Sequence, residues 1–193
     1  DNSKQAAGNF ISINCSVSDQ VELDRMLFGI ENNDGLQEIG ALEKANGGTI
    51  YLDEVAELPF DLQGKLLKFL VEKKISRIGS SKQLDLDLRV ISSTTRDLSK
   101  KIISREFRED LFHRLNVVPI KTPSLNERID DIPILAQYFV EQLSSINGFT
   151  YREFKKEALS FLQDMNWPGN IRQLRNLIER VLILGNPADK ISS

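Results

Sequence analysis

Four short apolar runs rich in strand formers, at 9–14, 49–52, 86–93 and 117–121, alternate with stretches whose apolar residues recur at helical spacing. This alternation constrains the fold more than any other feature. Strands separated by helical crossovers predict a parallel sheet flanked by helices, whereas antiparallel neighbours need only a tight turn. After Pro59, the residues Leu62, Leu66, Phe69 and Leu70 mark one helical stripe, and Phe107, Leu111, Phe112 and Leu115 mark another across 105–115. Between them, "ISRIGSSKQLDLDL" predicts a hairpin turning at Ser80-Ser81-Lys82. From Ile129 onward the periodicity is helical throughout, with helices expected at 130–146, 152–165 and 170–184. Gln173 stands three residues after Asn170 in a capping-box arrangement at the start of the last of these. The expected division is an α/β part over 1–124 and a small all-helical part over 125–193, with Pro187 and "ADKISS" as a frayed end or cut linker.

A chain of 193 residues with 40% hydrophobic content can bury one good core and a small satellite. Its net charge of -3 argues against this segment being the main nucleic-acid contact. Cys15, the single cysteine, permits no internal disulfide, fits a reducing compartment and reads as core packing rather than as a reactive thiol. No apolar run approaches the roughly 20 residues of a membrane span and no basic-then-apolar leader is present, so a cytoplasmic location without membrane association is expected.

Four stretches carry candidate chemistry. "TIYLDEVAEL" ends an apolar strand on two adjacent carboxylates, Asp53 and Glu54, whose repulsion must be relieved by a cation or by water. Ligands bind at the carboxyl edge of such a sheet, where one acid can hold a hydrated Mg²⁺ and the next can polarise a water; an exposed acidic turn has the same appearance. "SSTTRDL" closes the next long strand with Thr94 and Thr95, hydroxyls that reach a phosphate or simply favour strands. "FREDLFHRLNV" carries Arg108 and Arg114 on an amphipathic helix. There Asp110 and Arg114 form a ready i,i+4 pair, Arg108 has no such partner, and His113 reads as a surface or packing residue. "WPGNIRQLRN" puts Arg172 in the first turn of a helix, where a nearby anion or a carboxylate would offset the unfavourable dipole.

Together with "NFISINC", "MLFG", "LQGKLLKFL", "RIGS" and "DIPILA", these stretches in this order resemble the central AAA+ ATPase module of the NtrC family of bacterial response regulators, over nearly the whole chain. The resemblance implies an AAA+ P-loop-type α/β sheet flanked by helices, truncated at its N-terminus, followed by a helical lid subdomain. It implies a parent protein that binds ATP and Mg. Asp53 would be the acid associated with the metal through water, Glu54 the catalytic base, and Asn14 the asparagine that restrains it. Thr94 and Thr95 match the sensor I pair, although the second position is usually Asn. Arg108 and Arg114 match the arginines presented to a neighbouring subunit's nucleotide, and Arg172 the sensor II arginine.

Two departures stand beside the agreements. No stretch fits GxxxxGK[ST], so the chain is expected to start just after the phosphate-binding loop and to bind ATP weakly or not at all by itself. The segment 28–48 replaces the family's GAFTGA hexapeptide with a shorter acidic loop containing Asn32, Asn33, Asp34 and Glu38, whose tip offers little apolar anchorage beyond Leu36 and Ile39. That pattern resembles the NtrX-type subgroup and counts against sigma-54 remodelling. It implies a fragment of a regulator in nitrogen/redox-type two-component signalling. Such a regulator self-associates as a dimer or ring, binds DNA through a helix-turn-helix domain, and receives its signal from an NtrY-like sensor kinase through a receiver domain. The alternative is a sigma-54-dependent activator that hydrolyses ATP to remodel RNA polymerase.

Overall fold

The structure, a computed structural model, describes residues 5–32, 37–186 and 189–192. The chain divides into two compact units, Asp1–Pro119 and Ile120–Ser193. The first is built on a parallel sheet of β1 (Phe10–Asn14), β4 (Thr49–Asp53) and β7 (Arg89–Ser92) in that order, so the expected α/β class holds. In register, Asn14 faces Asp53 across β1 and β4, and Leu52 faces Ser92 across β4 and β7. Alternation then sorts the side chains: Ile13, Ile50 and Leu52 are buried on one face, while Phe10, Tyr51 and Ile91 look out from the other. Burying Ile50 and Leu52 completely contributes about 1.5–3 kcal/mol for each side chain.

The buried face is covered by α1 (Gln20–Phe28), α2 (Ala41–Lys44) and α3 (Phe60–Glu72), which supply Leu23, Leu27, Leu42, Leu62, Leu66 and Phe69 to the core. Asp19 caps α1 through the Val21 and Glu22 amides, and Gly29, at φ 77°, ends it. Two antiparallel ribbons follow the helices. One pairs β2 (Gly29–Glu31) with β3 (Gln37–Ile39), and the other pairs β5 (Lys74–Ser76) with β6 (Gln83–Asp85) across the expected hairpin turn. The first ribbon closes only because Gly40 has no side chain: a Cβ there would lie 2.5 Å from both Gly29 N and Leu27 O. Arg77, 9% exposed and next to β5, bonds Glu31 of β2 at 3.0 Å and Glu43 of α2 at 2.7 Å, tying the second ribbon to the first and to α2. Of the acidic loop, Asn33, Asp34 and Leu36 lie outside the described residues.

Two expectations for this unit change. Residues 117–121 form no strand, because no segment among the described residues runs alongside to complete the ladder, and Val117, Val118 and Ile120 stay exposed. The helix expected across 105–115 forms only over α5 (Glu109–Leu115), and a separate short helix, α4 (Leu98–Ile103), precedes it. The chain breaks at Arg105, in the left-handed region at φ 62°, where the Glu106 and Phe107 amides both close onto Lys101 O. Phe107 therefore anchors a loop in the core instead of extending a helical stripe.

The second unit packs α6 (Ile132–Asn147), α7 (Lys156–Asp164) and α8 (Asn170–Leu184) around Ala136, Val140, Trp167, Leu174 and Ile178. The capping box expected at Asn170 is absent. Gly169 is the cap, its amide donates to Gln173 Oε1 at 2.9 Å, and the Asn170 side chain accepts the Leu125 amide at 2.7 Å. A true capping box closes the turn Leu125–Glu127, where Glu127 accepts from the Ser124 amide and hydroxyl. These bonds, with Lys121 beside them, hold the Glu127 carboxyl down at about 2. Since the unfolded value is about 4.3, folding favours the ionised form, and its contribution is complete above that pH and lost as pH falls through 2. Glu127→Gln is expected to melt earlier than wild type at neutral pH, with the gap closing towards pH 2. Trp167 fluorescence reports this unit directly; a gap independent of pH would remove Glu127 from that role.

Candidate functional site

β4 carries Asp53 to the carboxyl end of the sheet's middle strand, and the chain there turns through Glu54, a non-glycine residue in the left-handed region at φ 54° and ψ 51°. Such a conformation costs of order 1–3 kcal/mol, so surrounding bonds must hold it. They do: Cys15 N donates to Asp53 O at 2.8 Å, and Val55 N to Ser93 O at 2.9 Å. The sheet's end is thus pinned on both sides of the two acids.

The two carboxylates have separate environments. Asp53 Oδ1 accepts from Ser93 Oγ at 2.7 Å and lies 3.1 Å from the Tyr51 hydroxyl, which also reaches Ser93 at 2.8 Å. Glu54 Oε2 accepts the Thr95 amide at 3.0 Å and meets the Thr94 hydroxyl at 3.4 Å. Asn14 lies opposite Asp53 in the register, but its side-chain oxygen accepts the Ser16 amide at 2.8 Å, and the Glu54 contact expected of it is made by the threonine pair instead. An open cleft of about 480 Å³ lies here, lined by Ser16, Ser18, Glu54, Glu57, Thr95 and Arg96. Within the first unit the sheet therefore gathers Asn14, Asp53, Glu54, Thr94 and Thr95 at one edge.

The remaining candidates stand elsewhere. Arg108 caps α5 and, contrary to expectation, has a close partner: its guanidinium forks onto both Asp110 oxygens, at 3.0 and 2.8 Å, and lies over the Phe60 ring. That fork raises the Arg108 pKa and lowers that of Asp110. Asp110 is thereby taken from Arg114, which is exposed and has no hydrogen bond or ion pair among the described residues. His113 is a surface residue, 3.8 Å from Glu109. In the second unit, Arg172 is exposed at the start of α8 and lines a groove with Trp167, Gly169, Gln173, Asn176 and Arg180, with no carboxylate partner among the described residues.

Known proteins resemble this chain in sequence and fold. Residues 1–121 match the model of the sigma-54 interaction domain, and 126–192 match the AAA+ ATPase lid domain. The chain belongs to the sigma-54 interaction domain family. This AAA+ module is 45% identical over 194 residues to the nitrogen assimilation regulatory protein NtrX of Azorhizobium caulinodans, covering 99% of the chain and 43% of that protein. The crystal structure of NtrX from Brucella abortus matches it with a TM-score of 0.93 at 41% identity, over 98% of this chain and 44% of that one. The same protein in complex with ATP matches with a TM-score of 0.89 at 41% identity, over 97% and 44%. The chain thus spans less than half the length of these relatives.

Tyr51 and Ser93 were missed in the sequence, yet a signal existed: period-two alternation puts Tyr51 on the same strand face as Asp53, and Ser93 directly follows the adjoining strand. Cys15 is the core residue expected. Burial first, and the Asp53 charge second, push its thiol up to about 12. Native protein is expected to label with a thiol reagent at least about a hundredfold more slowly than denatured protein, since the thiolate is the nucleophile. Equal rates would place Cys15 at the surface.

Proposed function

We propose that this chain is the acid-bearing and lid-bearing part of an AAA+ nucleotide-hydrolysing module in an NtrX-like transcription regulator. The supporting observation is the carboxyl edge of the sheet, where the adjacent acids Asp53 and Glu54 meet different hydroxyl and amide partners and Glu54 lines an open cleft. Glu54 is the base that activates water, and Asp53 holds Mg²⁺ through water. The fit for the metal is good: Ser93 and Tyr51 occupy Oδ1, leaving the second oxygen of a single carboxylate, which suits an ion that keeps most of its water shell. When bound, Mg²⁺ supplies charge neutralisation on the phosphates. Thr94 and Thr95 set the position of Glu54, Arg172 meets the nucleotide, and Arg108 and Arg114 serve the site of a second copy. ATP is the nucleotide by analogy with the Brucella NtrX complex.

The uncovered sheet face, carrying Phe10 and Ile91 at 64% and 38% exposure, supports an upstream phosphate-binding segment as part of the same module, because parallel sheets are covered on both faces. The whole regulator, in this reading, self-associates in a reducing cytoplasm, responds to an NtrY-like kinase and binds DNA through domains outside this chain. The family's name favours a second reading, activation through sigma-54. The acidic sequence of the loop at 32–39 argues against it.

A steady-state ATPase assay decides. The module extended upstream through its phosphate loop is expected to hydrolyse ATP without response to sigma-54, and the present chain to show no tight binding by calorimetry. Micromolar ATP affinity of the present chain overturns the divided site, and stimulation by sigma-54 reverses the choice between readings.

A further inference from the structure

α3 carries one polar residue in its buried stripe: Gln63 is 0% exposed, between Leu62 and Leu66. A buried primary amide must find partners for two donors and an oxygen, and Gln63 finds them in two separate loops. Its Nε2 donates to Leu58 O at 2.8 Å and Glu106 O at 3.0 Å, and its Oε1 accepts the Arg108 amide at 2.8 Å. Leu58 ends the single turn Val55–Glu57 that directly follows Glu54, and Arg108 is the extended residue that starts α5. One amide therefore joins the turn leaving the acidic edge to the loop presenting the arginine.

Nothing local fixes that loop as firmly. Arg105 is left-handed at φ 62°, and Arg108 has φ -79° and ψ 129°, so the segment leaves helical geometry twice within four residues. Lys101 gives a second tie, with Nζ on Ala56 O at 2.9 Å and its own carbonyl accepting the Glu106 and Phe107 amides. That tie stops short of Arg108. Within α5 the Arg108 carbonyl accepts the Phe112 amide at 3.1 Å, and among the described residues the hydrogen bond that ties its backbone to another element is the one from its amide to Gln63.

We propose that Gln63 is a positioning residue for Arg108, holding its backbone in register with α3 so that the guanidinium reaches the phosphates bound by a second copy of the chain. This rests on the reading of Arg108 as an arginine acting between copies. Loss of the amide leaves the guanidinium present but misplaced, and misplacement by about 1 Å costs up to about a hundredfold in rate.

The test uses subunit mixing in the upstream-extended module. Gln63→Met is expected to lower kcat about tenfold or more while KM for ATP changes less than about twofold. Mixed with a Glu54→Gln variant, it should regain turnover: its intact Glu54 is then served by an Arg108 from the other subunit. A structural defect in the Gln63→Met subunit would not be repaired this way. Arg108→Ala mixed with Glu54→Gln is the control. Recovery in the control but not with Gln63→Met overturns the inference and assigns Gln63 to its own subunit's acidic turn; no recovery in either overturns the between-copies reading of Arg108 together with it. Should Gln63→Met fail to fold, hydrogen exchange on the unaltered chain still decides. The Arg108 amide, ahead of the helix where amides normally exchange freely, is expected to be protected, and free exchange there overturns the proposal.

Discussion

Glu54→Gln, in the module extended through its phosphate loop, is expected to lower ATP turnover by about a hundredfold or more while leaving nucleotide affinity within about twofold. The size follows from what is removed: a base that takes a proton in the transition state, with no change in side-chain length. The substitution is mild structurally because the amide oxygen of Gln can still accept the Thr95 N–H that now holds Glu54 Oε2 at 3.0 Å. The left-handed backbone at φ 54° depends on the pins at Cys15, Ser93 and the following turn, none of which involves the carboxylate. Turnover measured under saturating ATP, with affinity measured separately, distinguishes chemistry from binding. Unchanged turnover would strip Glu54 of the base role and leave Asp53 and the threonines as a structural cluster. The same geometry bears on the Thr95 position, where the resemblance leads one to expect Asn. Thr95 acts on Glu54 through its backbone amide, so the identity of its side chain matters less to that contact than the path of the loop after β7.

The strands and helices legible in the sequence were those fixed by their own periodicity. β1, β4 and α8 fall where their apolar spacing puts them, since each element's buried set is carried within its own residues. What escaped was decided between segments. Residues 117–121 have the composition of a strand, but a strand exists only beside a partner, and composition cannot supply one. The break at Arg105 follows from Lys101 O capturing two amides, a contact with no sequence signature. Gln63 looks polar and therefore peripheral within an amphipathic stripe; only the placement of Leu58, Glu106 and Arg108 around it explains its burial. The acidic edge was legible because a charge pair ending an apolar strand is a local contradiction. The partners that relieve it, Ser93, Tyr51 and the Thr95 amide, arrive from just past the neighbouring strand, from two residues back on the same strand, and from a backbone atom.

Trp167→Ala is expected to destabilise the second unit by about 3–5 kcal/mol, the range for truncating a buried aromatic side chain. Trp167 is 1% exposed among Leu125, Ala136, Leu162, Leu174 and Ile178. Two polar bonds fix its orientation: Nε1 donates to Leu162 O at 2.8 Å, and its amide donates to Asn126 Oδ1 at 2.9 Å. Trp167→Phe keeps most of the ring and leaves the Leu162 carbonyl unpaired, so a smaller loss of about 1–3 kcal/mol is expected, and the difference between the variants separates packing from the hydrogen bond. Circular dichroism during urea unfolding gives both values; a Trp167→Ala loss below that of Trp167→Phe would contradict the packing described. The consequence reaches the groove that holds Arg172. The start of α8 has no side-chain cap of the usual kind, and its first residue is left-handed at φ 51°. It is held instead by Asn170 Oδ1 on the Leu125 amide and by the Asn170 amide donating to Trp167 O at 3.0 Å. Arg172 is therefore placed by the core of the second unit and not by the propensity of its own helix. A variant that loosens that core is expected to displace Arg172 even though it alters no charge.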